Sequence, residues 1–367
     1  MLERLWDLFV ENMIALFMPL VCSYYALTGD LFLNVSAQNA TGCEMAGNTI
    51  LIPFQYIFAG REAIQQPDGT WELTQRFDYE HSLWTNSILC AAALPPSLIL
   101  GSFVKGVGYL TEDARVRHQS IKDTLLSNEV QLHVEEYIAM GMAIENPDKA
   151  EFLLPEGHKR RAGDERHLAA EKEAMQDITV LLNEAKIPWW VDCGTCLGAY
   201  RYGGVIPWDF DLDIAVLLPD FDNVQRALRN LDTKKYIVQD WSSRSHPKSY
   251  LKVFIRKTGT LIDIYHFAID PEAHQIRYIL SLDSNMFFPE WWKIRERRYT
   301  SPTDFATVFP LKKATFDGIE VYVPNDTKKY LQRYYGENLA PSKIFDPMTG
   351  NYEKDLSHPY WQRIYAH

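Results

Sequence analysis

The feature that most constrains this chain is Pro207-Trp208-Asp209-Phe210-Asp211-Leu212-Asp213-Ile214, in which acidic and apolar residues alternate strictly. Successive side chains of a strand point to opposite faces. The pattern therefore predicts one strand with Asp209, Asp211 and Asp213 on one face and Phe210, Leu212 and Ile214 on the other. Strands are depleted in aspartate, and three carboxylates on one face repel each other unless cations compensate them. Carboxylates combined with phosphate oxygens are the usual ligand set of Mg²⁺ or Mn²⁺, so the strand is expected to carry a divalent-metal site. A calcium loop is a poorer reading, because Ile214 stands where such a loop needs glycine and Asp220 where it needs a bidentate glutamate.

The residues just upstream supply a partner for that metal. Trp189 to Val191 suits a short buried strand, Cys193-Gly194-Thr195 a turn, and Leu197 to Tyr202 a helix ended by Gly203-Gly204. A helix start offers amides without partners and the positive end of the helix dipole, which together bind anions such as phosphate. Cys193-Gly-Thr-Cys196 also fits a redox C-x-x-C, but that chemistry leaves the adjacent acidic strand unexplained. A zinc site would need two further soft ligands nearby, and the chain has no second C-x-x-C or C-x-x-H.

A second strand-like run, Gly259 to Phe267, holds Asp263 among apolar neighbours. An isolated buried acid is costly unless metal or a proton compensates it, so Asp263 is read as third metal ligand or general base. Ser249 to Arg256 reads as another strand, from which Lys252 either neutralises phosphate in the cleft or stays solvated. His266 has no evident partner and is read as structural.

A formal charge of -11 and a pI near 5.4 argue against a chain that grips nucleic acid electrostatically. The five scattered cysteines are not a disulfide framework. Two apolar stretches lie in the amino-terminal third, Met13 to Leu27 and Ile88 to Val104. The second is near the lower length limit for a span and carries Pro95-Pro96, so a hairpin or re-entrant insertion is as compatible as two spans. The first lacks a basic start and a cleavage site and is expected to be retained. Lys105, Arg115, Arg117 and Lys122 follow the second stretch, whereas the segment between the two is acidic, which by the positive-inside tendency places the remainder in the cytoplasm. The sequons Asn34-Val-Ser and Asn39-Ala-Thr would be usable only in a secretory lumen.

These observations predict a hydrophobic, membrane-associated region over 1–119, a helical connector over 120–175, and an amphipathic helix from Glu165 to Ala185 that leads from it into the next domain. A catalytic domain is expected over 176–367. Near its end, Trp291, Trp292 and the run Tyr330 to Tyr335 read chiefly as core, with stacking on a base or sugar as the alternative. Lys293, Arg295, Arg297 and Arg298 form a basic run that could meet acidic glycans or lipid headgroups.

The chain resembles the LicD family, which includes fukutin-type proteins. The resemblance rests on Cys193-Gly-Thr-Cys-Leu-Gly-Ala-Tyr-Arg201, Gly204-Val-Ile-Pro-Trp-Asp209-Phe-Asp-Leu-Asp213-Ile, Leu261-Ile-Asp263-Ile-Tyr, Phe316-Asp-Gly318-Ile-Glu-Val-Tyr-Val-Pro324 and Tyr330-Leu-Gln-Arg-Tyr-Tyr-Gly336. It implies an α/β (α+β) fold of nucleotidyltransferase type, a mixed sheet flanked by helices. It also implies transfer of phosphocholine or an alditol phosphate from a CDP-linked donor to a glycan or glycolipid. Carried over by position, Gly194 and Thr195 contact donor phosphates and Arg201 a phosphate. Asp211 and Asp213 bind Mg²⁺, Asp263 completes the metal set or acts as base, and Asp209 supports the cluster. Phe210 departs from the polar residue more usual there. Two other readings use the same residues: transfer of a whole nucleotide to a small molecule or protein, and an inactive membrane-anchored binding protein.

Overall fold

The computed structural model describes residues 34–40, 42–58, 61–77, 83–127, 132–149, 165–209, 211–242, 246, 248–280 and 289–363. The apolar stretch Met13 to Leu27 lies outside them, as does Phe210. The chain divides into two compact units, Met1–Glu129 and Val130–His367.

In the first unit, helices α1 (Gly42–Ile50) and α2 (Ile52–Phe58) lead into a hairpin of β1 (Arg61–Gln65) and β2 (Trp71–Gln75), followed by α3 (Leu83–Tyr109) and α4 (Glu112–Ser127). Both α1 and α2 pack along α3. Where the sequence allowed a break at Pro95-Pro96, α3 runs on unbroken. Proline's fixed φ is itself helical, and its cost is a missing donor and crowding of the preceding turn. The Ser97 hydroxyl donates to the Leu94 carbonyl at 3.0 Å in that stretch. Thr85–Tyr109 is long and apolar enough, by length and composition, to cross a membrane.

The second unit opens with α5 (Val134–Ala139), β3 (Glu145–Lys149) and α6 (Glu165–Glu184). Next come β4 (Trp189–Val191), α7 (Cys193–Tyr202), β5 (Asp211–Leu217) and α8 (Phe221–Leu228). Strands β6 (Tyr236–Asp240), β7 (Tyr250–Ile255), β8 (Leu261–Asp270) and β9 (Gln275–Tyr278) precede α9 (Glu290–Glu296), β10 (Thr303–Asp304) and α10 (Phe305–Val308). The unit closes with β11 (Leu311–Phe316), β12 (Ile319–Val323), α11 (Thr327–Tyr335), β13 (Lys343–Asp346) and β14 (Asn351–Lys354). This is the mixed α/β class expected, a curled sheet with helices packed on it.

Strand β8 is the hub of a seven-stranded mixed sheet. It pairs in parallel with β5, and with β7 and β9 in antiparallel. Beyond β5 lies β4, and the order β10-β9-β8-β5-β4 completes the path. The amphipathic α6 covers the sheet through Ala174, Met175, Ile178 and Leu182, all buried, against β5, β7 and β8. A smaller sheet, β12-β11-β3, takes in part of the stretch read as a connector, and Tyr137 of α5 is fully buried in the same core. Tyr137 donates to Asp220 Oδ2 at 2.7 Å and Asn223 to Oδ1 at 3.0 Å, so Asp220 is a satisfied structural acid.

The core beside the acidic strand is aromatic. Trp190 of β4 is fully buried, with ring centroids 5.3 Å from Phe267 and 5.8 Å from Phe309. Its indole N–H donates to the Tyr330 hydroxyl at 3.3 Å, and that hydroxyl donates to Asp192 Oδ1 at 2.7 Å. The run Tyr330 to Tyr335 is thus core at Tyr330, Leu331 and Tyr334. Deleting the Trp190 ring should cost about 3–5 kcal/mol, whereas Tyr330→Phe, which strands Asp192, should cost about 1–3 kcal/mol. Urea unfolding of the full chain followed by near-ultraviolet circular dichroism measures both.

Candidate active site

The acids of the second unit meet because of strand register. In the parallel β5–β8 pair Asp213 lies directly opposite Asp263, and in the antiparallel β7–β8 pair Lys252 lies opposite Asp263. One rung across three neighbouring strands therefore reads Asp213, Asp263, Lys252. Asp211 lies two residues before Asp213, on the same face. Among the described residues, Asp211, Asp213 and Asp263 each bring a carboxylate oxygen to within 4.8 Å of the others.

Asp209 sits elsewhere than expected. The strand begins at Asp211, and the Asp209 N–H donates to the Ile206 carbonyl at 2.9 Å in a turn. The cause is Pro207, which has no N–H to give a ladder and holds the chain off the sheet. From this turn the Asp209 carboxylate reaches back over Gly194, where a Cβ would stand 2.3 Å from Asp209 Oδ2. It also lies within hydrogen-bonding reach of Asp211. Gly194 thus gives room to a carboxylate.

Helix α7 begins at Cys193, earlier than the turn expected there, with Asp192 as its extended N-cap residue. The Asp192 N–H donates to the Asp213 carbonyl at 3.0 Å, and Thr195 Oγ1 accepts the Asp213 N–H at 2.7 Å. These two bonds lock the helix start to the acidic strand. The Thr195 oxygen accepts this bond and its own O–H is left to donate, so an anion at the helix start can use that hydroxyl as well as first-turn amides. Asp192, absent from the sequence reading, carries the helix–strand junction. Its position directly after a strand and before a helix was the available signal.

At the other end, Gly203 caps α7 in the left-handed conformation, φ 62°, with its N–H on the Ala199 carbonyl at 3.0 Å. The loop that follows is clamped by Asp317, whose Oδ2 accepts the Val205 N–H at 2.8 Å. Asp317 and Gly318, both at positive φ, form the two-residue turn between β11 and β12. The Phe316-Asp-Gly318 run therefore positions the loop that carries Asp209.

The two basic residues read as phosphate contacts stand in different settings. Arg201, expected to contact phosphate, is buried at 4% exposure and donates through Nε to the Leu339 carbonyl at 2.5 Å and through Nη2 to Ala340 at 2.7 Å. Its guanidinium fastens the chain leading to β13 and β14. Tyr352 of that hairpin lies 4.8 Å from Trp208 between ring centroids, and the Lys343 ammonium 5.5 Å from the same indole. Lys252 does point at the acids, donating to Asp263 Oδ1 at 2.8 Å while its ammonium stands over Trp241 and Tyr250 at 5.2 and 5.1 Å. The Tyr265 hydroxyl donates to the other oxygen of Asp263 at 3.3 Å.

The basic run of α9 is largely paired: Arg295 with Glu296 at 2.7 Å, Arg297 with Glu290 at 2.8 Å, Lys293 with Glu290 at 3.8 Å. Glu296, a further acid the sequence reading passed over, adds its field to that on Asp211. His266 is fully buried against Phe221 and held neutral by burial, its imidazole pushed down to about 3.

The electrostatics follow from this crowding. Burial and then the charge of Asp263 raise the Asp211 carboxyl above its ordinary range. Burial, Asp211 and Asp263 push Asp213 well above it. Burial and the neighbouring carboxylates push both Cys193 and Cys196 thiols well up, the opposite of what a redox C-x-x-C requires. Three converging carboxylates with all-oxygen donor chemistry fit Mg²⁺ or Mn²⁺, and Asp211, Asp213 and Asp263 would hold it.

A carboxyl raised in the fold binds its proton more tightly there than in the unfolded chain, so stability falls as pH rises toward the folded pKa. The melting temperature of the metal-free chain should therefore drop as pH rises above about 4, the ordinary carboxylate pKa. Mg²⁺ needs the ionised acids, so its stabilisation should grow over the same range. Asp213→Asn should flatten the slope and abolish the Mg²⁺ response in calorimetric melts; an unchanged response would remove Asp213 from the ligand set.

Comparison with known proteins bears on the same residues. Residues 186–326 match the family model described as LicD/FKTN/FKRP, nucleotidyltransferase domain. The chain is 30% identical over 190 residues to the uncharacterized protein RP689 of Rickettsia prowazekii, covering 50% of this chain and 62% of that protein. It is 24% identical over 191 residues to the human ribitol 5-phosphate transferase FKRP, covering 50% of this chain and 34% of FKRP. With the mouse ribitol-5-phosphate transferase FKTN it shares 26% over 182 residues, 48% of this chain and 34% of FKTN. The chain thus spans less than two thirds of each of these relatives. The matched segment contains β4, α7, β5 and β8, the elements that build the carboxylate site, and over these residues the chain is similar to the LicD/FKTN/FKRP nucleotidyltransferase domain.

Proposed function

We propose that this chain is a transferase that moves a phospho-alcohol group, phosphocholine or an alditol phosphate, from a CDP-linked donor to a hydroxyl of a glycan or glycolipid, with Mg²⁺ or Mn²⁺. The observation that carries the proposal is the convergence of Asp211, Asp213 and Asp263 within 4.8 Å beside the start of α7. Phosphoryl-group transfer asks of a protein mainly positioning and neutralisation of charge on the transferring group, and a carboxylate-held metal supplies that neutralisation. The names of the relatives FKRP and FKTN, ribitol-5-phosphate transferases, support an alditol phosphate as the transferred group.

The residues divide the work. The acceptor oxygen attacks the phosphorus proximal to the alcohol, a new P–O bond forms, and the bond to CMP breaks so that CMP leaves with the electron pair. The acceptor's proton goes to Asp209, which lies outside the group of three, is half-buried and reaches Asp211. Lys252 is committed to Asp263 and stays there as a fixed positive charge. The first-turn amides of α7 face the donor's diphosphate.

Calorimetric titration of the full chain with CDP should show binding in Mg²⁺ that is lost in Asp211→Asn/Asp213→Asn. With CDP-ribitol or CDP-choline and a glycan acceptor, the chain should release CMP, and Asp209→Asn should lower turnover roughly 10²–10⁴-fold while leaving CDP affinity in place. Release of pyrophosphate from a nucleoside triphosphate instead would assign nucleotide transfer, and full turnover by Asp211→Asn would refute the metal set.

A further inference from the structure

The first unit turns the usual logic of a soluble helix inside out. Among the described side chains of α3, the buried positions are Ser87, Ser97, Gly101, Lys105 and Gly108, every one small or polar. The exposed ones include Ile88, Leu89, Ile99, Leu100, Phe103 and Val107, with Ile99 at 75% and Phe103 at 70% exposure. A helix at a water interface does the reverse, burying its apolar stripe and exposing its polar residues.

The charges follow the same rule. Residues 42–58 contain a single charged side chain, Glu44, and residues 83–109 a single one, Lys105. Both are buried, at 2% and 1% exposure. Lys105 packs its Cβ against Gly47, one turn along α1 from Glu44, and the two charges act on each other. Glu44 also accepts from Arg117 at 2.5 Å and meets His118 Nε2 at 2.8 Å, so its carboxylate is fully engaged. At the far end of the helices, the Arg76 guanidinium donates to the buried side-chain oxygen of Gln55. Between these polar ends the described outer faces of α1 and α3 carry no charge.

Beside a small apolar cluster of Leu51, Phe54, Leu94 and Leu98, three glycines let the helices of this unit approach closely. A Cβ on Gly47 would stand 2.5 Å from Lys105, one on Gly101 2.6 Å from Leu51, and one on Gly108 2.8 Å from the Glu44 nitrogen. Close backbone approach through small residues, with polar groups turned inward, is how helices associate where no hydrophobic effect separates helix from solvent. From Ser87 to Lys105 the helix rises about 27 Å, close to the roughly 30 Å of a bilayer's hydrocarbon.

We infer that α1, α2 and α3 form a bilayer-embedded helical hairpin, with the outward apolar face of α3 against lipid acyl chains and Glu44 and Lys105 as its internal charge pair. What covers the face is a medium that excludes charge along the full helix. A protein groove would leave part of α3 in water.

The test uses the full chain in vesicles of phosphatidylcholine and phosphatidylglycerol that include a lipid with a photoactivated diazirine in its acyl chain. The chain should stay with the vesicles through an alkaline carbonate wash, and mass spectrometry should place acyl adducts on peptides spanning Ile88 to Val107. Ile99→Arg/Phe103→Arg should lower retention of these adducts by roughly 100-fold per arginine at the bilayer centre, while Glu112→Gln leaves them unchanged. Adducts confined to Met13–Leu27, release of the chain by carbonate, or a concentration-dependent dimer that alone protects α3 would each overturn the inference.

Discussion

Repulsion among three carboxylates is the constraint around which the second unit is arranged. Asp213 and Asp263 face each other across a parallel strand pair, and Asp211 joins them two residues away. Left to themselves these side chains would rotate apart or keep protons. The fold prevents the first by register: moving Asp213 off the rung would require slipping β5 against β8, which would turn Leu212 and Ile214 out of the core. It answers the second only in part, since Lys252 brings one positive charge to three acids. A net negative charge is left at the place where a metal and a diphosphate would meet.

The supports of that cluster lie mostly outside the acidic strand. Asp192 and Thr195 tie the helix start to Asp213, and Tyr330 of α11 fastens Asp192 in turn. Asp317 holds the loop before Asp209, and Arg201 holds the carboxy-terminal segment whose hairpin packs a tilted Tyr352 ring against Trp208. Cation–aromatic contact does the same for Lys252, whose ammonium lies over two rings and loses the freedom to follow a phosphate. A charged group fixed in this way contributes field without having to reorganise during reaction, which is the useful condition for stabilising a transferring phosphoryl group.

The acids themselves were legible in the sequence because their pattern is local: alternation over six residues gives a face, and a lone aspartate in an apolar run gives a strand acid. Asp209 was misplaced because alternation takes no account of Pro207, which ends the ladder before it. Arg201 and Lys252 could not be read, since one is decided by carbonyls about 138 residues away and the other by a cross-strand rung. The structural roles of Asp192, Asp317 and Asp220 were hidden for the same reason: each is satisfied by a partner distant in sequence. In the first unit, hydropathy identified an apolar run, but which of its residues face outward depends on α1 and α2. Pro95-Pro96 suggested a break that a helix with proline's own φ does not need.

Buried charge is handled in opposite ways in the two units, and the difference separates scaffold from site. Glu44 is matched by Arg117, His118 and Lys105, so its burial closes locally and leaves nothing for a ligand to complete. Asp211 and Asp213 sit among like charges, and burial raises both carboxyls further instead of settling them. A fold that keeps the second arrangement forgoes stability that a single asparagine would recover, and such a deficit persists where something binds to offset it. The unmatched cluster of Asp211, Asp213 and Asp263, and not the matched one around Glu44, is therefore the candidate for ligand binding.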